Sequence, residues 1–351
     1  MSEAREPKEV HVRPIFIVGC ERSGTTLLRL MLHSHPNIAI PPQTKFSRKL
    51  YKRRIYFGNL RKAGNRTRLA RWFSNHFNAN TKLIDLGLSR SEIEEAIYLA
   101  APTFGSILGA IFRLYAQKWS KPRWGDKRPY YIKYLPVLYR LFPGAQVIHL
   151  IRDGRDCVAS LKGMPWWREG EMGAILNWRE AIRHGKRARG RYRSDQFIEL
   201  RYEDLVTQAE EQLRRICSFL GETFDPRMLA FQDIASKTVP AYKIQWHART
   251  QQALDSSAIG KWHKKLTPWE VALMQYAAGK ELEEHGYLLS TGADSLSPSI
   301  RIKFLARVVL RGMSHAAYGL VDRFLSVCYP WPLAYEETQE GKSVPQESTG
   351  P

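Results

Sequence analysis

PIFIVGCERSGTTLL, residues 14–28, decides how the remainder of the chain is read. Ile15 to Val18 form a four-residue apolar run between Pro14 and Gly19, the pattern of a short buried strand. Further on, Leu27, Leu28, Met31 and Leu32 fall on one face of a helix, which His35-Pro36 must end because a residue before proline is pushed out of helical geometry. Between strand and helix lies Gly19-Cys20-Glu21-Arg22-Ser23-Gly24. Backbone N–H groups and the positive end of the helix dipole converge there on an anion.

Working outward, the same alternation recurs. Gln146 to Ile151 reads as a second buried strand, ending at Arg152-Asp153-Gly154, with Asp156 to Lys162 opening the next helix. Phe197 to Leu200 is a third strand, followed by a helix from about Asp204 to Leu220. Residues 45–145 are expected to be mostly helical, with Ser91-x-x-Glu94 as a capping box. Thr267-Pro268-Trp269-Glu270 starts a later helix that Gly286 closes. Strands alternating with helices predict an α/β fold in three layers, a central mostly parallel sheet flanked by helices. The expected divisions are a flexible terminus at 1–13, the main α/β domain at 14–290, an amphipathic helical extension at 291–334 and a disordered tail at 335–351.

The chain has 351 residues, enough for a full core, with 44% hydrophobic and 25% charged residues, which excludes disordered and collagen-like classes. Four cysteines show no C-x-x-C pair and no metal-ligand spacing, and no apolar run precedes a small-residue cleavage site. A reduced, cytoplasmic setting and no metal are therefore expected. The net charge of +20 is unevenly placed: from Arg22 to Ile84 fourteen basic residues occur and no acidic one. Such a stretch is either a solvated surface or a site for an anionic partner. Within Ile302–Leu325, residues Leu305, Val308, Val309, Met313, Ala316, Leu320 and Phe324 recur at helical spacing, flanked by Arg and Lys. Two readings of this helix stand open: docked on the domain by its stripe, or lying peripherally in an anionic membrane surface.

Gly19 to Gly24 has the G-x-x-x-x-G spacing of a P-loop, but Thr25 stands where a nucleotide triphosphatase needs lysine, and Arg22 supplies the cation from inside the loop. A terminal group less charged than a γ-phosphate suits such a loop. The segment resembles the 5′-phosphosulfate loop of sulfotransferases that use 3′-phosphoadenylyl sulfate (PAPS), bacterial enzymes and protein-tyrosine sulfotransferases above all. The resemblance implies a P-loop-like fold, PAPS as donor, and a cradle made by Arg22, Ser23, Gly24, Thr25 and Thr26. VIHLIRDGRDCVAS, residues 147–160, is similar to the family's 3′-phosphate element and implies that role for Arg152 and Ser160. FIELRYEDL implies that Tyr202 lines the nucleotide pocket. GKWHKKLT, the family's late closing loop, implies Gly260, Lys261 and Trp262, the last stacking on a base. The resemblance covers about residues 14–288.

WGDKRP resembles the family's catalytic lysine with a nearby proline, which makes Lys127 the group that stabilises the leaving phosphate. Relatives often read Pro-Glu-Thr after the first helix, with Glu as base, whereas IPPQTKF places Gln43 there. A neutral amide accepts no proton at pH 7. Gln43 then orients the acceptor, or the acceptor needs little base help, or activity is lost; His33, Asp126 and Glu21 are the substitute bases. His149, inside a strand, is expected in the core. The acceptor is a hydroxyl compound of unknown class. A kinase-like enzyme using Asp153 for Mg²⁺ and a non-catalytic anion-binding protein are the competing readings, and a nucleic-acid partner is disfavoured.

Overall fold

The computed structural model describes residues 13–78, 81–240, 242, 254–290 and 296–336. Five strands form one parallel sheet in the order β2-β3-β1-β4-β5: β1 Ile15–Gly19, β2 Ile38–Ala39, β3 Arg123–Lys127, β4 Gln146–Ile151 and β5 Phe197–Arg201. Ile15 pairs with Gln146 on one side and Gly125 on the other, so β1 is central. Strand side chains alternate between faces, and each face has its own core. Phe16, Val18, Val147 and Ile151 pack under Phe104–Lys118 and Gly170–Arg189, whereas Ile15, Ile17, Ile148 and Leu200 pack under Thr25–Ser34 and Ala209–Leu220. Helices on both faces of a parallel sheet make the expected three layers.

Several local expectations need correction. The capping box lies two residues earlier, with Ser89 as N-cap and Glu92 reaching back, because the helix starts at Arg90. The single helix expected from about Asp204 breaks at Gln208 into Tyr202–Thr207 and Ala209–Leu220. β2 is too short to show a pattern, and β3 had no apolar signature. β3 reads Arg-Trp-Gly-Asp-Lys yet is wholly buried, because each polar side chain finds partners. Arg123 donates to Leu220 O, to Glu222 Oε1 at 2.9 Å and to Gln146 Oε1 at 2.7 Å, and Asp126 accepts from Tyr131. After the long helix Pro298–Cys328 the chain returns to the body. Tyr335, expected in a disordered tail, donates its N–H to Leu141 O at 2.7 Å and sets its ring against Trp124. Residues 1–12 and 337–351, the rest of the expected loose termini, lie outside the described residues.

Candidate active site

The carboxyl ends of four neighbouring strands each deliver one element to a common crevice, the position a parallel sheet favours for ligands. β1 runs into the loop from Gly19 to Gly24, Lys127 ends β3, Arg152 follows β4, and Tyr202 follows β5. The loop is tightly built. Ser23, fully buried, donates to Cys20 O at 2.8 Å, and Arg22 takes a left-handed φ of 72°. Gly24 has φ 92°, and a Cβ there would lie 2.4 Å from Tyr202 Cδ2. Only glycine satisfies both the torsion and the close approach of the ring.

The cationic groups converge on this loop. Arg22 Nε donates to Ser160 Oγ at 3.0 Å, and Arg152 donates to Arg22 O at 3.1 Å and Ala258 O at 2.7 Å, its guanidinium 4.5 Å from the centre of the Tyr202 ring. Burial, and then the nearby Arg152 charge, pull the Arg22 pKa down. Two largely buried guanidiniums thus stand beside one loop, and Arg152 is also paired with Asp156 at 3.6 Å. On the other side of the loop, Lys127 Nζ lies 3.1 Å from Gln43 Oε1 and 3.3 Å from Thr26 Oγ1, which links the expected catalytic pair to the end of the loop. The cavity measures about 1010 Å³ and is lined by Arg22, Thr26, Gln43, Lys127, Arg152 and Tyr202, among others. That is the upper end for a small-molecule site, with room for a nucleotide and part of a second substrate.

These elements match a known family. A sequence model of the sulfotransferase family covers residues 14–226, over half of the chain. The chain belongs to the sulfotransferase family. Protein-tyrosine sulfotransferase A of Caenorhabditis elegans is 26% identical over 254 residues, 71% of this chain and 60% of its own length. The protein-tyrosine sulfotransferase of Drosophila melanogaster is 24% identical over 256 residues, 71% of this chain and 46% of its own length. This chain therefore spans less than two thirds of either relative. Among solved structures, the sulfotransferase domain of the Synechococcus PCC 7002 olefin synthase has a TM-score of 0.57 at 23% identity, covering 82% of this chain and all of that one.

Within this chain, Arg22, Gly24, Thr25, Thr26, Arg152, Ser160, Tyr202 and Lys261 line the cavity together with Gln43 and Lys127. Trp262 is a correction. Its ring is 5% exposed, stacked on His263 with centroids 3.6 Å apart and capped by Arg155 at 4.1 Å, so it packs with Ala159 and Val271 rather than offering a face to a base. Gly260 is held through its backbone. Asp156 accepts from Gly260 N and Trp262 N at 2.9 Å each and so pins the late loop to the helix Gly154–Lys162. The sequence offered Asp156 only as an ion-pair partner of Arg152, which it is at 3.6 Å; its hold on the late loop came with the fold.

Two of the substitute bases are structural. His33 Nδ1 accepts from Ile40 N at 2.9 Å, and burial followed by Arg29 and Lys121 drives its pKa down to about 2. Asp126 is fully buried, accepts from Tyr131 and Thr44, and does not line the cavity. Glu21 does line it, with Oε2 held by Asn177 at 2.6 Å. His149 is fully buried against Glu199, as expected of a core histidine. Asp153, the metal ligand a kinase would need, is instead chelated by Arg155 at 2.8 Å. Arg29, Lys45 and Lys82 also line the cavity. The acid-free stretch had flagged all three without giving them a place. Burial, then Lys82, Arg128 and Lys49, lower the Lys45 pKa, the signature of crowded positive charge at the rim.

Proposed function

We propose that this chain transfers a sulfuryl group from PAPS to a hydroxyl acceptor. The observation that carries it is the delivery of one element from each of four strand ends to a single cationic cavity. The residues present fit the donor: a glycine cradle, two buried guanidiniums and a lysine at the far end of the loop. When bound, PAPS supplies an activated sulfuryl on a 5′-phosphate leaving group. The backbone of Ser23 to Thr26, with Arg22, would hold the 5′-phosphosulfate. Arg152 and Ser160 would hold the 3′-phosphate, and Tyr202 would wall the nucleotide.

Lys127 would offset negative charge developing on the leaving phosphate oxygen, a contribution of about 10²–10³ in rate for one such donor. Gln43 accepts from Lys127, which orients the ammonium and leaves the amide N–H groups for the acceptor. It positions rather than deprotonates. The reading invokes no metal. A P-loop kinase is less well supported: Thr25 heads the helix where that signature needs a lysine, and Asp153 is held by Arg155.

Calorimetric titration with the desulfated product, 3′-phosphoadenosine 5′-phosphate (PAP), and separately with ATP and Mg²⁺, tests the proposal. Tight PAP binding not matched by ATP supports it; ATP binding with Mg²⁺-dependent turnover would replace it with the kinase reading.

A further inference from the structure

The helix Pro298–Cys328 is packed inside out. A surface helix ordinarily docks by its apolar stripe and shows solvent its charges. Here Ile302, Leu305, Val309, Met313, Leu320 and Phe324 stand 49–67% exposed, while the buried residues of the helix are Phe304 and Asp322. Phe304, with Ile300 and Val308 beside it, reaches the core, and the other docking contacts named here are ionic. Asp322 bridges Arg54 at 2.9 Å and Arg140 at 2.7 Å, and Arg311 bridges Glu169 and Glu180 at 2.8 Å each. At 100° per residue the exposed apolar side chains share one face. From Ile302 to Val327 that face runs for about 38 Å, on the order of 400 Å² if about 10 Å wide.

We propose that this face lies in the interfacial layer of an anionic membrane. Three observations choose this occupant. Lys303 and Arg323, both exposed, border the apolar face on opposite sides, and Arg301 and Arg307 follow next to them around the helix. Asp322 is the sole acidic residue of the helix and is buried on the docking side, so the outward surface carries basic charge alone. A second copy of the helix laid against the first would bring basic borders together, whereas anionic headgroups complement them. The segment that follows the described residues is too polar to cover the apolar face. Residues 337–351 contain one large aliphatic, Val344. No helix among the described residues is long and apolar enough to cross a membrane, so the contact is peripheral. The surface is tied to the cavity rim: Arg307 and Arg311 hold Glu169 at the end of the loop whose Gly163, Met164 and Trp166 line the cavity. The inference does not depend on which group the cavity transfers.

Vesicle flotation with the full chain tests it, using vesicles of equal parts phosphatidylcholine and phosphatidylglycerol, and of phosphatidylcholine alone. The wild type is expected to float with the anionic vesicles and at least about tenfold more weakly with the neutral ones. Met313→Glu combined with Leu320→Glu should weaken partitioning on the order of 10²-fold. Lys303→Gln combined with Arg323→Gln should weaken it about tenfold or more and flatten its salt dependence. All variants should keep the wild-type melting temperature, since the four side chains are exposed. Absence of flotation, or equal flotation of wild type and the double glutamate variant, overturns the proposal. So does sedimentation as a dimer that the glutamates dissociate, which would make the face a self-interface.

Discussion

Replacing Arg152 separates reading of the 3′-phosphate from general attraction of an anion. Its guanidinium donates to Arg22 O and Ala258 O, is 11% exposed, and lies over the Tyr202 ring. A charge-assisted hydrogen bond to a phosphate is worth about 1.5–3 kcal/mol, so Arg152→Ala should raise the PAP dissociation constant by about 10- to 150-fold. Arg22 moderates that loss: the Arg152 charge presses its pKa down, and removing the neighbour relieves the repulsion. The lower half of the range is therefore expected. Adenosine 5′-phosphate, which lacks the 3′-phosphate, supplies the control. Its affinity should fall no more than about threefold in the same variant, since only indirect effects on the loop remain. Arg152→Lys should fall between, keeping charge and losing the planar fork. Calorimetry on the two ligands and three proteins closes the cycle. Equal losses for PAP and adenosine 5′-phosphate would refute the assignment and recast Arg152 as a brace for the loop.

Three further outcomes are expected. Lys127→Met should slow formation of PAP from PAPS, with water as acceptor, by about 10²–10³ while weakening PAP binding less than about tenfold; a matched loss of both would mean that Lys127 only binds. Gly24→Ala places a Cβ 2.4 Å from the Tyr202 ring at φ 92°, so it should cost about 1–2 kcal/mol of backbone strain and abolish measurable PAP binding; calorimetry showing wild-type affinity would remove the cradle. Burial is the main cause that raises the Asp126 carboxyl to about 6, so the stability it contributes is full below the ordinary carboxylate pKa and is lost as pH rises through 6. Urea unfolding of the wild type should therefore lose about 2–2.5 kcal/mol relative to Asp126→Asn between pH 4 and 7.5, and a pH-independent difference would contradict the buried carboxylate.

How much of this was legible depended on whether a residue's environment is local. The loop after β1 declares itself in one string because strand, glycines and helix are consecutive, and β4 and β5 are apolar enough to be seen. β3 was invisible for the opposite reason. Its Arg123 and Asp126 are buried only because Glu222, Gln146 and Tyr131, some of them distant in sequence, are brought to them. The same holds in the site. Lys127 and Gln43, 84 residues apart, were each chosen by resemblance, and their 3.1 Å contact came only with the fold. Trp262 was misplaced because a glycine-flanked tryptophan looks like a stacking platform until Arg155 and His263 are seen to occupy its faces.

The C-terminal helix shows a different kind of limit. Periodicity locates an apolar face but cannot say which way that face points. The direction is set by ionic contacts such as Asp322 with Arg54 and Arg140, across 268 and 182 residues of sequence, and those contacts turn the stripe outward. Such a helix loses little on the protein side when its apolar face is given to another phase, because burial of that face is not what holds it in place. The ionic side keeps the helix on the domain and the apolar side stays available. A substitution on the ionic side, Asp322→Ala, should therefore do the reverse of the glutamate variants. It leaves Arg54, whose side chain is 4% exposed, without its carboxylate, and should cost about 3–5 kcal/mol of stability. Chemical denaturation measures that cost, and a loss below about 1 kcal/mol would show that the buried apolar contacts of Phe304, Ile300 and Val308, not the charges, seat the helix.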